Sequence, residues 1–338
     1  MNFELILPQK VIFGEGSIKK VGEEAKSLGI DRVLIVTSRG MLKREFLTQI
    51  TGYLLEHQLS FDIFSRVKPE PPIENVYDCI AFAKDNSCNL LIGLGGGSVI
   101  DIAKKVAADL GLPKIMVPTT AGTGSEVTHE SVFKVEGKKR AFVDKNLVPN
   151  VAIVDPDLTK TMPPLLTASS GIDALAHALE CYESRKSNPL VKTIALDAFK
   201  LLKENIEKAV QGNRRARINM SLGSLMAGMA FGNSGTTLAH ALSYPLSNRG
   251  VPHSQSVALV LPFALEFNGS DPRLVEKLKG LRKLVHCDWN ADWDANKMAE
   301  EVMCDERHLA NNPSNVTYRD LLEIFERMKR WLLHEGDL

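Results

Sequence analysis

The stretch LLIGLGGGSVIDIAKKVAADL (residues 90–110) predicts a buried β-strand, a glycine-rich turn and an α-helix in immediate succession. The strand is predicted at Leu90–Gly93 and the helix at Val99–Leu110, with Gly95–Ser98 as the turn between them. Glycine lets a backbone come close to a phosphate, and the first turn of a helix presents unpaired amide hydrogens at the positive end of its dipole. The stretch therefore favours an α/β fold that can hold a pyrophosphate at the end of a strand.

The glycine-rich turn alone leaves two interpretations open. Its spacing departs from the G-x-G-x-x-G pattern because Ser98 takes the place of the last glycine, so a purely structural turn is the alternative. A second polar turn, TTAGTGSE (residues 119–126), follows another predicted strand at Lys114–Pro118 and offers hydroxyl groups and amides near the same sheet edge. Turn and cap formation explains one of these threonines better than the whole cluster. Two such turns together favour a nucleotide.

The hydrophobic pattern divides the chain into two halves. In the first half, short β-branched runs alternate with amphipathic stretches, which is typical of a parallel sheet flanked by helices. After Asp155-Pro156, alanine, leucine and methionine recur at helical spacing. We therefore expect an α/β nucleotide-binding domain at residues 1–157 and an all-α domain at residues 158–338. Other predicted elements are a strand at Arg32–Ser38, a hairpin formed by Glu130–Val135 and Arg140–Val143, a strand at Val151–Val154 and a buried helix at Ile218–Phe231.

Composition narrows the classes of partner. The chain has 338 residues, with 41 basic and 41 acidic side chains and a formal net charge of +0, and it contains no block of like charges. Nucleic acid and an anionic membrane surface are therefore disfavoured as partners. No segment resembles a signal peptide or approaches the length of a membrane span, so we expect a cytoplasmic protein. The cysteines are scattered and expected to be reduced and mostly buried: Cys79, Cys88, Cys181, Cys287 and Cys304.

One carboxylate and three imidazoles form a candidate metal site. A spacing of four residues places Asp173 and His177 on one face of a helix, although a capping box of Ser170 and Asp173 is the alternative. His240 lies in an apolar run where an unpaired imidazole is costly, and His253 precedes another such run. This donor set suits a catalytic divalent ion that keeps a position for a substrate oxygen. Cys181 is an alternative ligand, but a buried apolar role is favoured for it.

Several separated segments carry a family resemblance. In order along the chain they are GLGGGSVIDIAK (residues 93–104), PTTAGTGSEVT (118–128), DPDLTKTMPP (155–164), GIDALAHALE (171–180) and AHALSYPL (239–246) followed by VPH (251–253). Together they resemble the signature segments of the iron-containing (group III) alcohol dehydrogenases, over roughly Pro8 to Leu265. The resemblance implies the dehydroquinate synthase-like fold of that family, with a metal and a nicotinamide cofactor meeting in the cleft between an α/β half and a helical half.

The resemblance also implies roles for individual positions. The family's metal ligands fall on Asp173, His177, His240 and His253. Its cofactor-binding positions fall on a larger set, namely Gly95, Gly96, Gly97, Ser98, Asp101, Thr119, Thr120, Thr123 and Lys139. The family name argues for Fe(II), whereas the affinity order of such ligands argues for Zn(II), and the residues do not decide between them.

Three departures from the family pattern shape the expected chemistry. Ser38 followed by Arg39 replaces an acidic residue that many NAD-using members carry, which favours NADP over NAD because a 2′-phosphate is no longer repelled. Tyr244 replaces a histidine of many members, and either donates a proton or lines the pocket. The segment Ser243–Gly250 is expected to be a shortened active-site loop, in which Arg249 would suit an anionic substrate. The tyrosine and this loop also resemble the phosphonoacetaldehyde reductases of the superfamily.

The resemblance implies an NAD(P)-linked alcohol dehydrogenase or aldehyde reductase that moves a hydride between nicotinamide and a small alcohol or aldehyde. Two alternatives stay open. One is a lyase of the dehydroquinate synthase type, whose ligand set typically has Glu where this chain has Asp173. The other is a binding protein that kept the fold without turnover. A homodimer is common in the family. His129 is more often a packing residue, and four other histidines are given no role: His57, His286, His308 and His334.

Overall fold

The computed structural model describes residues 2–285 and 293–335. The strands are β1 (Lys10–Phe13), β2 (Arg32–Val36), β3 (Ser60–Phe64), β4 (Leu90–Gly95), β5 (Lys114–Pro118), β6 (Glu130–Val135), β7 (Lys138–Val143) and β8 (Val151–Val154). The helices interleaved with these strands are α1 (Val21–Ser27), α2 (Glu45–Glu56), α3 (Glu74–Asp85) and α4 (Gly97–Leu110). The later helices are α5 (Pro164–Glu183), α6 (Pro189–Val210), α7 (Arg214–Phe231), α8 (Leu238–Asn248), α9 (His253–Phe267), α10 (Pro272–Arg282), α11 (Ala295–Met303), α12 (Glu306–Asn311) and α13 (Tyr318–Glu335).

Six parallel strands form one sheet in the order β1-β8-β5-β4-β2-β3. Gly95 at the end of β4 pairs with Pro118 at the end of β5, so the two polar turns leave the sheet side by side, as expected. Helix α4 packs closely on this sheet, because a Cβ on Gly93 would lie only 2.9 Å from the Ala103 Cβ of that helix. The expected α/β half with a parallel sheet is confirmed.

Several predicted boundaries were wrong by one or two residues. The strand from Arg32 ends at Val36, because Ser38 is already the residue that precedes a 3-10 turn. Strand β4 continues to Gly95, and α4 begins at Gly97 rather than Val99. Strand β7 starts at Lys138, two residues earlier than predicted. The hairpin turn is short because Glu136 and Gly137 both take left-handed φ values, 52° and 77°, as a two-residue hairpin turn requires.

The elements after β8 are helices throughout the described part of the chain, so the expected helical half is also confirmed. Helix α5 is buried from Thr167 to Cys181 and packs between its neighbours α6, α7 and α9. Helix α7 begins at Arg214, four residues before the predicted start, and its inner face is buried. A Cβ on Gly228 would lie 2.8 Å from the Gly124 Cα, so this helix touches the polar turn that follows β5.

Two further expectations concern cysteines and membranes. Cys79, Cys88 and Cys181 are buried free thiols as expected, whereas Cys304 is exposed and Cys287 lies outside the described residues. Among the helices that the structure describes, none combines the length and the apolar character needed to cross a lipid bilayer.

Candidate metal centre and cleft

A cleft of about 620 Å³ lies where the carboxyl edge of the sheet meets the helical half. The glycine-rich turn and the second polar turn form one wall, and side chains from α5, α8, α9 and α12 form the other. Ligands of parallel α/β sheets bind at this edge because helix N-termini and loops converge there. Both candidate sites from the sequence therefore face a single space.

Three of the four predicted ligands come together in this cleft. Asp173 lies in the middle of α5, His240 in the first turn of α8, and His253 is the first residue of α9. One ligand atom from each lies within 4.8 Å of the others. The Asp173 Oδ1 atom is 3.7 Å from His240 Nε2 and 4.0 Å from His253 Nε2. Ligand atoms bound at about 2.1 Å to one ion are about 3 to 4 Å apart, so these residues can share a cation.

The charge state of these groups fits a cation. Burial raises the pKa of Asp173 to about 6, which shows that its negative charge is poorly compensated by the protein alone. Burial also lowers the pKa of His253 well below its usual value, so this ring stays neutral and keeps a lone pair for a metal. The buried Asp173 Oδ1 and His240 Nε2 atoms have no hydrogen-bond partner among the described residues. A divalent ion would satisfy both.

His177 lies beside this cluster but outside the set of mutually close ligand atoms. It follows Asp173 by one helical turn, and its ring stacks on His240 with centroids 4.7 Å apart. Burial lowers the pKa of His177 well below its usual value, so it is a neutral imidazole on the cleft wall. The capping-box alternative is wrong, because Ser170 and Asp173 both lie inside α5, which begins at Pro164.

Glu180 fixes the orientation of His240 and was missed by the sequence reasoning. One of its oxygens accepts a hydrogen bond from His240 Nδ1, which leaves Nε2 directed to the cluster. The other oxygen accepts from the amides of Thr237 and Ala239 at 3.1 and 2.8 Å, at the start of α8. Burial alone would raise the pKa of Glu180, but His240, His308 and a hydrogen bond from the Thr237 hydroxyl lower it to about 2. Its position seven residues after Asp173 on one helix face was the available signal.

The predicted cofactor positions divide into two groups. Gly96, Gly97, Ser98, Thr120 and Thr123 line the cleft, and a Cβ on Gly97 would lie 2.7 Å from the Thr123 side chain. This crowding explains why glycine stands at the N-terminus of α4. The second group lies beneath the surface: the amide of Thr119, which is buried, donates to the carbonyl oxygen of Gly95 at 2.9 Å.

Asp101 lines the cleft, but its carboxylate is already engaged by the protein. It accepts hydrogen bonds from the Ser125 hydroxyl at 2.5 Å and the Val132 amide at 3.0 Å. Buried Lys104 lies 3.7 Å away and donates to the Ser125 carbonyl at 2.8 Å. These contacts tie α4 to the segment that carries the second polar turn, so Asp101 shapes the cleft wall.

Two charged residues line the cleft between the glycine-rich turn and the candidate metal ligands. Lys139 is almost fully buried and forms an ion pair with Glu70 at 3.0 Å. Burial lowers the pKa of Lys139, and the attraction of Glu70 opposes that effect. The amide of Glu70 donates to Ser98 Oγ at 3.3 Å, so this pair links the hairpin to the glycine-rich turn. Ser38 also lines the cleft.

The sequence comparisons give the same assignment as the geometry. The iron-containing alcohol dehydrogenase family model matches residues 8–156, and the model of the C-terminal part of that family matches residues 167–296. The chain belongs to the iron-containing alcohol dehydrogenase family. It is therefore an oxidoreductase of the alcohol dehydrogenase class, which removes the lyase and the non-catalytic binding protein as leading alternatives.

Individual relatives agree with the family assignment. Long-chain-alcohol dehydrogenase 1 of Geobacillus thermodenitrificans is 38% identical over 287 residues, which cover 78% of this chain and 73% of that protein. The 1,3-propanediol dehydrogenase of Klebsiella pneumoniae is 35% identical over 292 residues, 79% of this chain and 75% of that protein. A crystal structure of 1,3-propanediol oxidoreductase superposes with a TM-score of 0.92 at 28% identity, covering 97% of this chain and 100% of that chain. Sulfoacetaldehyde reductase from Bifidobacterium kashiwanohense, solved with NAD+, has a TM-score of 0.89 at 26% identity over 97% of this chain and 99% of that chain.

One family-based expectation was wrong. The predicted active-site loop at Ser243–Gly250 is mostly the helix α8, which runs through Pro245 to Asn248. Arg249 follows this helix and pairs with Glu301 at 2.6 Å, while it also donates to the Pro245 carbonyl at 2.8 Å. Its guanidinium is occupied by these contacts and is not part of the cleft lining that the structure describes.

Tyr244 and His308 line the cleft beside the candidate metal ligands. The Tyr244 ring lies 6.2 Å from the His253 ring and meets His308 edge to face at 5.4 Å. Burial raises the pKa of Tyr244, so its phenol stays protonated at any physiological pH. His308 had no signal in the sequence, because its neighbours in space are remote along the chain.

Proposed function

We propose that this protein is a metal-dependent, NAD(P)-linked alcohol dehydrogenase that transfers a hydride between nicotinamide and a small aldehyde or alcohol. The observation that carries this proposal is the placement of Asp173, His240 and His253 across one cleft from the glycine-rich turn at the start of α4. Hydride transfer to or from a metal-bound substrate requires a metal site and a phosphate-binding turn in the same cleft.

The metal ligands and the cofactor-binding groups lie on opposite sides of the cleft. We assign Asp173, His240 and His253 as ligands of one divalent ion, Fe(II) or Zn(II), with His177 as the fourth ligand after a small side-chain adjustment. The bound ion would polarise the substrate oxygen as a Lewis acid. The amides of Gly96, Gly97 and Ser98 hold the cofactor pyrophosphate at the helix N-terminus, and the hydroxyls of Thr120 and Thr123 supply further polar contacts on that wall.

A neutral substrate fits this cleft better than an anionic one. The expectation of an anionic substrate depended on Arg249, whose guanidinium is paired with Glu301. The buried cation nearest the cluster, Lys139, is likewise paired with Glu70. The relatives named for short alcohols, such as the Klebsiella 1,3-propanediol dehydrogenase, support a small alcohol or aldehyde as the substrate.

The proposal is tested by following nicotinamide absorbance with a panel of short alcohols and aldehydes, using protein whose metal content has been measured. We expect turnover that depends on bound metal and is lost on chelation. Absence of cofactor oxidation or reduction with every alcohol and aldehyde, in protein that carries a full equivalent of metal, would contradict it.

The cofactor preference follows from Ser38. Because serine does not repel a 2′-phosphate, we expect NADP(H) to be used with a higher kcat/KM than NAD(H). Ser38→Asp should move the NADPH-to-NADH ratio of kcat/KM toward NADH by about 10- to 100-fold, since a carboxylate would repel the phosphate and bind the ribose. Steady-state kinetics with both cofactors measures this ratio, and Ser27→Asp, on α1, is the matched control. A wild-type enzyme that prefers NADH would show the prediction to be wrong.

Tyr244 is the proposed proton donor for the substrate oxygen. Tyr244→Phe keeps the ring contacts with His253 and His308 but removes the hydroxyl. General acid catalysis typically contributes about 100-fold or more, so kcat should fall by at least that factor while KM changes little. Pre-steady-state rates of NADPH oxidation check this, and a loss of less than threefold would reassign Tyr244 to pocket lining.

Three broader assignments complete the proposal. We place the boundary of the two domains between residues 157 and 158, shortly after β8 ends at Val154. We also propose a homodimer and a cytoplasmic location, which agree with the family and with the balanced charge of the chain. Analytical ultracentrifugation tests the dimer.

A further inference from the structure

His308 presents an unused polar atom to the cleft. It lies in α12, beyond residue 296, where the match to the family model ends. The residue is only 3% exposed, yet it belongs to the lining of the cleft. Its Nε2 atom makes no hydrogen bond to any residue that the structure describes, whereas its Nδ1 atom lies 2.6 Å from Asp305 Oδ2.

The contact with Asp305 decides which nitrogen carries the proton. An ionised carboxylate can only accept, so Nδ1 must donate to it. Burial alone would raise the pKa of Asp305, but the hydrogen bonds from the His308 side chain and amide, together with the nearby positive charges, lower it, so the carboxylate is ionised. With its proton on Nδ1, the ring turns the Nε2 lone pair, an acceptor, toward the cleft.

The position of the ring is fixed from both halves of the protein. The Asp305 carboxylate also accepts the His308 amide at 3.2 Å, so it holds the side chain and caps α12 together. The preceding residue, Arg307, pairs with Glu130 of strand β6, with 2.8 Å between Nη1 and Oε1. The acceptor is thus held in place before any substrate enters, which limits the entropy lost on binding.

His308 lies close enough to the candidate metal ligands to contact the far end of a small substrate whose oxygen is bound at the metal site. The His308 ring lies nearly parallel to the His240 ring, with centroids 6.3 Å apart. An extended alcohol of about three or four carbons whose oxygen lies at the metal site has a similar length. An alkyl end would leave the buried acceptor unsatisfied, whereas a hydroxyl group would donate to it.

We propose that His308 accepts a hydrogen bond from a second hydroxyl group of the substrate, so that the enzyme selects hydroxyalcohols and hydroxyaldehydes over alkyl analogues of equal size. This inference rests on the proposed alcohol dehydrogenase function. His308 is a substrate-binding residue in this account, and it takes no part in hydride transfer.

The test compares pairs of substrates in which a methyl group replaces a hydroxyl group. The pairs are 1,3-propanediol against 1-butanol and ethylene glycol against 1-propanol, measured with the metal-loaded wild-type enzyme. For the pair whose chain length reaches Nε2, we expect the hydroxyl member to have a kcat/KM about 10- to 100-fold higher. His308→Phe should abolish this preference by lowering kcat/KM for the hydroxyl member to the value of the alkyl member.

Two further variants separate hydrogen bonding from packing. His308→Gln keeps an acceptor oxygen and should retain part of the preference, whereas His308→Leu should lose it as His308→Phe does. These variants also serve if His308→Phe fails to fold. Tyr244→Phe should slow both members of a pair alike and leave their ratio unchanged.

Several results would overturn the inference. A wild-type enzyme that shows no preference in either pair, a preference that survives in both His308→Phe and His308→Leu, or a preference lost in Tyr244→Phe would each do so. Calorimetric binding of the four alcohols to the enzyme with oxidised cofactor distinguishes this failure from failure of the proposed function. If no alcohol is oxidised, the proposed function is wrong. If both members of each pair are oxidised and bound equally well, only the proposed role of His308 is wrong.

Discussion

Asp173→Asn is expected to yield a folded protein that has lost its tightly bound metal and almost all of its activity. Asparagine keeps the size of the side chain but removes the one negative charge in the candidate ligand set. A Lewis-acid ion bound at this site would stabilise the transition state by several kcal/mol, and each 1.36 kcal/mol changes the rate tenfold. We therefore expect kcat/KM to fall by roughly 1,000-fold or more, together with metal content measured by plasma mass spectrometry.

The same substitution should not destabilise the metal-free protein. Because burial raises the pKa of Asp173 from 3.8 to about 6, the ionised carboxylate disfavours folding, and this penalty grows as the pH rises between those values. At neutral pH, metal-free Asp173→Asn should melt at a temperature no lower than the metal-free wild type. Asp197→Asn on the exposed face of α6 is the control, with normal metal content and activity. Full metal content and turnover in Asp173→Asn would remove the basis of the account.

Glu180→Gln should weaken metal binding while leaving every ligand in place. The carboxylate receives the Nδ1 hydrogen of His240, and an amide nitrogen in the same place cannot accept it. Loss of such an outer partner typically costs 10- to 100-fold in metal affinity, and we expect a change of that size in a competition titration with a chelating dye. Excess metal should restore most of kcat in Glu180→Gln but not in Asp173→Asn.

A matched control is available one turn further along the same helix. Glu183 accepts a hydrogen bond from Ser270 at 3.0 Å and forms no hydrogen bond with His240 in the part of the chain that the structure describes. Glu183→Gln should bind metal as the wild type does. Because Glu180 also accepts the amides at the start of α8, some loss of thermal stability is expected in Glu180→Gln alone. Equal metal affinity in Glu180→Gln and the wild type would show that Glu180 only caps the helix.

The local features of this fold were predictable from sequence. The strand and helix around Gly95–Ser98 are set by hydrophobic period and glycine, which act over a few residues. The same holds for the placement of Asp173 and His177 on one face of α5, since a spacing of four decides it. Boundaries were less predictable. A polar residue such as Ser38 can be the last residue of a strand or the first residue of a turn, so its identity does not decide where the strand ends.

The errors and omissions came from contacts between distant residues. Pro245 and Gly250 favour a loop locally, yet α8 continues through Pro245 because its neighbours are buried against α9. Arg249 was expected near a substrate, but its partner Glu301 lies 52 positions away. Glu180 and His308 were missed for the same reason. Only the folded chain shows that one holds His240 and the other lies beside Tyr244.

Anomalous X-ray diffraction from crystals of the metal-loaded protein, collected on both sides of the iron and zinc absorption edges, tests the central claim most directly. We expect a single strong anomalous peak about 2.0 to 2.2 Å from an oxygen of Asp173 and from a ring nitrogen of each of His240 and His253, with His177 turned to complete the set. The absorption edge at which the peak appears identifies the ion. Crystals of active enzyme with no peak among these residues, or with the only strong peak elsewhere, would contradict the account.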